Sequence, residues 1–167
     1  LSSVNVESTS KNRLKFRETL FSSEGMKNHI SGVILYDETI KQKSSSGKTI
    51  PELIKSFGSI PGIKVDTGAK KLAGSPEEKI TEGLDGLRER LTEYYNLGAR
   101  FTKWRAVYSI SEKYPSELSI KSNAHALARY AALVQEAKMV PIVEPEVLMD
   151  GDHSITKCFE VTKEVLK

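Results

Sequence analysis

The sequence has few of the features that mark secreted, membrane or nucleic-acid-binding proteins. Its 167 residues contain one cysteine, Cys158, which excludes an internal disulfide framework and suits a reducing compartment. The longest apolar runs have four or five residues, far short of the ~20 that cross a bilayer. The net charge of +3, from 25 basic and 22 acidic side chains, is too small and too mixed in sign to predict nucleic-acid binding. We therefore expect a soluble, cytoplasmic, globular protein with no nucleic-acid or membrane partner.

Glycine-rich phosphate-binding motifs and metal-ligand spacings are absent as well. The three histidines, His29, His125 and His153, are scattered and show no ligand spacing. What the sequence does contain is an apolar fraction of 38% and a charged fraction of 28%. That composition, at this length, fits one ordinary domain that buries a core of its own.

Four segments are typical of buried strands in a parallel sheet, because they are rich in β-branched and aromatic residues. They are residues 32–36, 62–66, 100–108 and 141–147. Helical patterns of apolar residues lie around them, at residues 12–20, 51–57, 81–96 and 122–137 and from 154 onward. Thr81 is predicted to cap the helix at 81–96, and Gly98 stands where that helix is expected to stop. Gly83 and Gly86 would then interrupt this helix and allow close packing against a neighbour.

The strands start near residues 32, 62, 100 and 141, at steps of 30, 38 and 41 residues. Steps of this size suit repeated strand–helix–strand units with right-handed crossovers. Such units build either an open doubly wound sheet or a (β/α)8 barrel. Since a complete barrel takes about 250 residues, the chain predicts an open four-stranded sheet or about half of a barrel.

Pairs of charged residues spaced by two recur late in three of the predicted strands. They are Lys64 and Asp66, Lys103 and Arg105, and Glu144 and Glu146. Residues two apart in a strand point to the same face, so each pair projects together. Asp37 and Glu38 follow the first strand in the same way. Parallel α/β folds place their sites at the carboxyl ends of the strands, which is where these charges fall.

The residue types indicate a class of chemistry. Lys64, Lys103 and Arg105 together would form a cationic pocket for a phosphate or an oxyanion, and Glu144 and Glu146 would supply acid/base groups. An anionic carbonyl compound such as a sugar phosphate is the expected substrate class. The alternative is that each pair is solvated or forms a structural salt bridge. That explanation is disfavoured because it requires the same coincidence on three successive strands.

Six stretches, in this order along the chain, resemble class I fructose-1,6-bisphosphate aldolase. They are SGVILYDET at 31–39, PGIKVDTG at 61–68, GLDGLRER at 83–90, KWR at 103–105, NAHALARY at 123–130 and PIVEPEVLMDGDH at 141–153. The resemblance implies a (β/α)8 TIM barrel, often assembled as a homotetramer. It also implies reversible cleavage of fructose 1,6-bisphosphate into dihydroxyacetone phosphate and glyceraldehyde 3-phosphate through a lysine Schiff base, with no metal and no cofactor.

The resemblance implies a role for five side chains. Lys64 matches a lysine near a substrate phosphate, and Arg105 matches an arginine that binds one. Lys103 matches a lysine that assists carbinolamine chemistry and carbon–carbon cleavage. Glu144 matches the general acid/base for dehydration to the imine, and Glu146 matches the glutamate that orients the active-site lysines.

Two family motifs do not occur in these residues: Ala-Ala-Asp-Glu-Ser on the first barrel strand, and Leu-Lys-Pro-Asn-Met, which carries the Schiff-base lysine, on the sixth. We expect residues 1–167 to form a single partial barrel domain with strands two to five, and strand one and strands six to eight to be absent. This segment alone is expected to be inactive. Two alternatives are a non-catalytic phosphate-binding or interaction module on the aldolase scaffold, and another sugar-phosphate barrel enzyme.

Overall fold

A computed structural model describes residues 1–167 and places four parallel strands in one sheet, in the order β1-β2-β5-β6. The strands are β1 Gly32–Leu35, β2 Ile60–Lys64, β3 Gly68–Leu72, β4 Ser75–Glu82, β5 Phe101–Tyr108 and β6 Val140–Val147. The helices are α1 Ser10–Phe21, α2 Met26–His29, α3 Asp37–Ile40, α4 Ile50–Ser56, α5 Leu87–Leu97, α6 Glu117–Glu136 and α7 Ile155–Val165, with a 3-10 turn at Ser2–Val4.

All four predicted parallel strands are present, with bounds within two residues of those expected. Each is joined to the next by a crossover connection that contains at least one helix. The second strand begins at Ile60 and ends at Lys64, slightly earlier than the pattern indicated. The crossovers bring the carboxyl ends of all four strands to the same edge of the sheet.

The two faces of the sheet differ in burial, and β5 shows this most clearly. Its even-numbered residues are buried and its odd-numbered residues are half-buried. Trp104, fully buried, packs against Tyr130 of α6 with ring centroids 5.3 Å apart. Trp104 therefore faces the core. The opposite, more open face carries Lys103 and Arg105.

An antiparallel hairpin, β3–β4, lies between β2 and α5, where the sequence predicted part of a helix. The expected helix at 81–96 starts late, at Leu87, and the prediction that Thr81 caps it is wrong. Thr81 lies in β4 and is buried; its hydroxyl donates to the Arg105 carbonyl at 2.7 Å. Gly83 and Gly86 precede the helix rather than interrupt it, and both have positive φ. That backbone conformation suits the tight turn from β4 into α5.

Helices α4, α6 and α7 begin at residues that favour a helix start, and α5 ends at a glycine. Thr49 forms a capping box with Glu52, and Ser116 and Ser154 accept hydrogen bonds from backbone amides in the first turns of α6 and α7. Gly98 has φ 111° at the end of α5, as predicted for a helix stop. None of the helices combines the length and the apolar character that a membrane span requires.

Candidate functional site

The five predicted site residues lie on one face of the sheet, on three adjacent strands. Lys64 ends β2, but Lys103 and Arg105 are the third and fifth of the eight residues of β5, so the expectation that this pair stands late in its strand is wrong. Lys64 of β2 lies opposite Lys103 of β5, and Arg105 of β5 lies opposite Glu144 of β6. Neighbouring strands are about 4.8 Å apart, so these side chains share one short stretch of surface. Glu146 lies two residues beyond Glu144 and therefore on the same face.

Two of the three cations of this cluster are paired with its two glutamates. Lys103 Nζ lies 3.0 Å from Glu144 Oε2. Arg105 Nε donates to Glu146 Oε2. Both pairs join β5 to β6, so the charges of the two strands meet side by side rather than facing bulk water separately. The pairing lowers the cost of gathering so many charges at one edge of the sheet.

The Arg105–Glu146 pair shifts the protonation of both partners. The hydrogen bond from Arg105 lowers the pKa of Glu146, and the carboxylate in turn raises the pKa of Arg105. Glu146 therefore stays ionised at neutral pH. Arg105 remains 39% exposed, and its two Nη groups make no hydrogen bond within the chain. Those groups are free to bind a ligand anion, and a guanidinium suits the geometry of a phosphate.

The amino-terminal end of the same face is apolar. Ile60, Phe101 and Val140 lie there, and the Phe101 ring covers Gly62. A Cβ built on Gly62 would lie 2.3 Å from that ring. The face therefore has an apolar floor, and its charged rim begins at the level of Lys64 and Lys103.

Asp37 and Glu38, which the sequence also placed at a strand end, lie outside the cluster. Asp37 accepts a hydrogen bond from Tyr94 at 2.9 Å and pairs with Lys41. Glu38 pairs with Arg13 and Arg17 of α1. These two carboxylates fasten helices to the end of β1, and Asp37 also lines a cleft that Lys64 and Asp66 share.

Several residues that support the site were not singled out by sequence reasoning. Arg90 donates to the carbonyls of Val65 at 2.9 Å and Gly83 at 2.5 Å, which holds the chain just beyond β2. Asn123, fully buried on α6, accepts a hydrogen bond from the Thr81 amide at 3.3 Å. The only sequence signal for either residue was its place in a family motif, because a buried polar residue on a helix leaves no periodic pattern.

No group of three or more His, Cys, Asp and Glu side chains in the chain is arranged to hold a metal ion. Cys158, on α7, is half-buried and unpaired. His125 lies on α6, His29 ends α2, and His153 lies in the loop before α7. The three histidines lie on different elements and are distant in sequence from one another.

The fold and this cluster define a segment of a (β/α) barrel with charged residues on one face of its strands. Residues 1–167 match the family model described as "Glycolytic: Fructose-bisphosphate aldolase class-I". The chain belongs to the class I fructose-bisphosphate aldolase family. The choice between an open sheet and a barrel is settled in favour of the barrel, because a solved aldolase superposes on the chain throughout.

Solved and curated relatives agree on this family. A probable fructose-bisphosphate aldolase class 1 of Xanthomonas campestris is 57% identical over 99% of the chain and 50% of its own length. Fructose-bisphosphate aldolase 4, cytosolic, of Arabidopsis thaliana is 53% identical over 98% of the chain and 42% of its own length. A Plasmodium falciparum aldolase, crystallised with TRAP and a small-molecule inhibitor, has a TM-score of 0.95, 47% identity, and coverage of 99% of this chain and 48% of its own. The chain thus spans about half the length of these relatives.

Proposed function

We propose that the full-length protein containing this chain is a class I aldolase that cleaves fructose 1,6-bisphosphate through a lysine Schiff base. The observation that carries the proposal is the gathering of Lys64, Lys103, Arg105, Glu144 and Glu146 on one face of the sheet. All five stand in motifs of the family, and the family model covers the whole chain. The cleavage is reversible, and its products are dihydroxyacetone phosphate and glyceraldehyde 3-phosphate.

In this proposal the cations bind the phosphates. Arg105 has unpaired Nη groups that can take a phosphate in a bidentate manner. Lys64 is the other phosphate ligand that this chain supplies. Lys103 Nζ, 3.0 Å from Glu144, lies beside the reacting carbon and helps to hold the charge that develops there.

Glu144 is proposed to act as the general acid/base. A lysine amine, supplied outside these residues by the Leu-Lys-Pro-Asn-Met motif, adds to the ketone carbon and gives a carbinolamine. Glu144 takes the proton that the lysine ammonium must lose before its amine can add, and then donates it to the carbinolamine hydroxyl, which leaves as water while the nitrogen lone pair forms the protonated imine. The ammonium of Lys103 stabilises the carboxylate that remains on Glu144. Glu146, held ionised by Arg105, orients the neighbouring cations.

We further propose that the protein acts in the cytoplasm as a homo-oligomer, a tetramer by family resemblance, and needs no metal or cofactor. Support for the location comes from the names of Arabidopsis relatives, which are called cytosolic.

The test uses the full-length protein, fructose 1,6-bisphosphate and a coupled assay for triose phosphate, with and without a metal chelator. Borohydride added in the presence of dihydroxyacetone phosphate should trap a lysine adduct that mass spectrometry locates. Cleavage that persists in chelator, together with the adduct, is the expected result. Binding of the bisphosphate without cleavage would overturn the proposal and favour a non-catalytic phosphate-binding module. Cleavage that is abolished by chelator, with no adduct, would exclude the Schiff-base route.

A further inference from the structure

Asp66 is the most buried carboxylate at the charged rim, and it has no role in the mechanism above. It lies just beyond β2, two residues after Lys64, and its side chain is only 3% exposed. A buried carboxylate is costly unless several donors satisfy it. The structure supplies those donors from three strands, β2, β3 and β5.

Both carboxylate oxygens of Asp66 are used. Oδ1 accepts hydrogen bonds from Lys64 Nζ and from the Gly68 amide, the latter at 3.1 Å. Oδ2 lies 3.4 Å from the backbone amide of Arg105 on the neighbouring strand. Asp66 therefore ties the ends of β2 and β5 together at the level of the two phosphate-binding candidates, Lys64 and Arg105.

Only a carboxylate satisfies this environment. Donors face both oxygens, so an asparagine would have to point its NH2 group either at Lys64 and Gly68 or at the Arg105 amide. Either orientation sets one donor against another. An unpaired donor is then left in a buried place, which is destabilising.

The contacts also fix the direction of the Lys64 ammonium. An ammonium has three N–H donors. One is directed to Asp66 Oδ1 and another to the Asp66 carbonyl at 3.1 Å, which leaves one for a ligand. Lys64 and Asp66 line a cleft of about 450 Å³ between the ends of β1 and β2 and helix α5.

We propose that Asp66 is a positioning residue, which acts by holding the Lys64 ammonium where one N–H faces a substrate phosphate. This inference rests on the proposed function. It predicts that Asp66 matters for binding the phosphorylated substrate and acts only through Lys64.

The test compares Asp66→Asn, Lys64→Gln and the double variant in the full-length protein, with KM and kcat for fructose 1,6-bisphosphate measured separately. Asp66→Asn should raise KM by roughly 10-fold or more and change kcat much less, because a charge-assisted contact to the ground state is lost. The double variant should have the KM of Lys64→Gln alone, because the effect of Asp66 passes through Lys64. If Asp66→Asn does not fold, Asp66→Ser, which has a smaller side chain, replaces it in the same cycle.

Glu136→Gln is the matched control. It also replaces a carboxylate by its amide in a residue that pairs with a cation, Arg88 at 2.6 Å, but Glu136 is 57% exposed at the end of α6 and does not line the cleft. Its KM should equal that of the wild type. An unchanged KM in an active Asp66 variant, or KM effects that multiply in the double variant, would overturn the inference. A wild-type protein that does not cleave the substrate at all would overturn the proposed function, and this inference with it.

Discussion

Gly62 of β2 lies against the flat side of Phe101, and a side chain there has no room. A Cβ at Gly62 would be 2.3, 2.4 and 2.6 Å from three carbons of the Phe101 ring. Ordinary contacts of a Cβ are at 3.4–4 Å, so the ring would have to move by about 1 Å. The same ring also reaches over Gly32 of β1, where a built Cβ would lie 3.0 Å from it.

We predict that Gly62→Ala lowers the free energy of unfolding of the full-length protein by about 1–3 kcal/mol, the usual cost of overpacking a close contact. Urea unfolding followed by circular dichroism or tryptophan fluorescence measures the change. Gly25→Ala is the control, since its Cβ would have no atom nearer than 3.8 Å and its φ of −71° suits any residue. That variant should be neutral or slightly more stable.

A second background isolates the cause. In Phe101→Leu, the smaller side chain leaves space above Gly62, so Gly62→Ala should cost much less there than in the wild type. The difference between the two costs is the coupling of the two positions. Equal costs in the two backgrounds would refute the steric explanation and assign the loss to backbone conformation instead.

Two further predictions concern individual carboxylates. Glu144→Gln should lower kcat for fructose 1,6-bisphosphate by roughly 100-fold or more, the usual effect of losing a general acid/base group. Glu136→Gln, which lies in an exposed ion pair remote from the site, should leave kcat unchanged. Near-normal turnover of Glu144→Gln would exclude Glu144 from the acid/base role. Arg13 and Arg17 lower the pKa of Glu38 from 4.5 to about 2, so the ionised form contributes stability above pH 4.5 that is lost as the pH falls towards 2. Glu38→Gln should therefore lower Tm by about 2 °C at pH 7, as for a partly exposed pair, and by less at pH 3; an equal difference at both pH values would contradict the assignment.

The parallel strands could be predicted from sequence because their apolar runs are short, bounded and regularly spaced. The hairpin β3–β4 could not be. Its strands, Gly68–Leu72 and Ser75–Glu82, carry lysine and glutamate where a buried strand would carry valine or isoleucine. A largely exposed two-stranded ribbon has little apolar periodicity. Leu84, three residues before the start of α5 at Leu87, continues the helical spacing of apolar residues and so made the helix look longer than it is.

The sequence predicted the grouping of the charged residues better than it predicted the hairpin. Charged pairs spaced by two on three strands placed Lys64, Lys103, Arg105, Glu144 and Glu146 on one face, and they lie on one face. Their catalytic roles stay predictions. The spacing of the charged residues could not predict which of them form ion pairs. Lys103 pairs with Glu144, and Arg105 pairs with Glu146, because of the register of β5 against β6. Register is set by packing across the whole sheet.

The hairpin that the sequence missed also helps to hold the site. Asn123, buried on α6, makes two hydrogen bonds to the backbone of β4. It accepts one from the Thr81 amide at 3.3 Å and donates one to the Lys79 carbonyl at 2.9 Å. Thr81 in turn donates to the carbonyl of Arg105. A chain of hydrogen bonds thus runs from a helix core, through the hairpin, to the backbone of a proposed phosphate ligand. Because a buried polar network keeps its geometry only when all its members are satisfied, the position of Arg105 depends on a residue that never approaches the substrate.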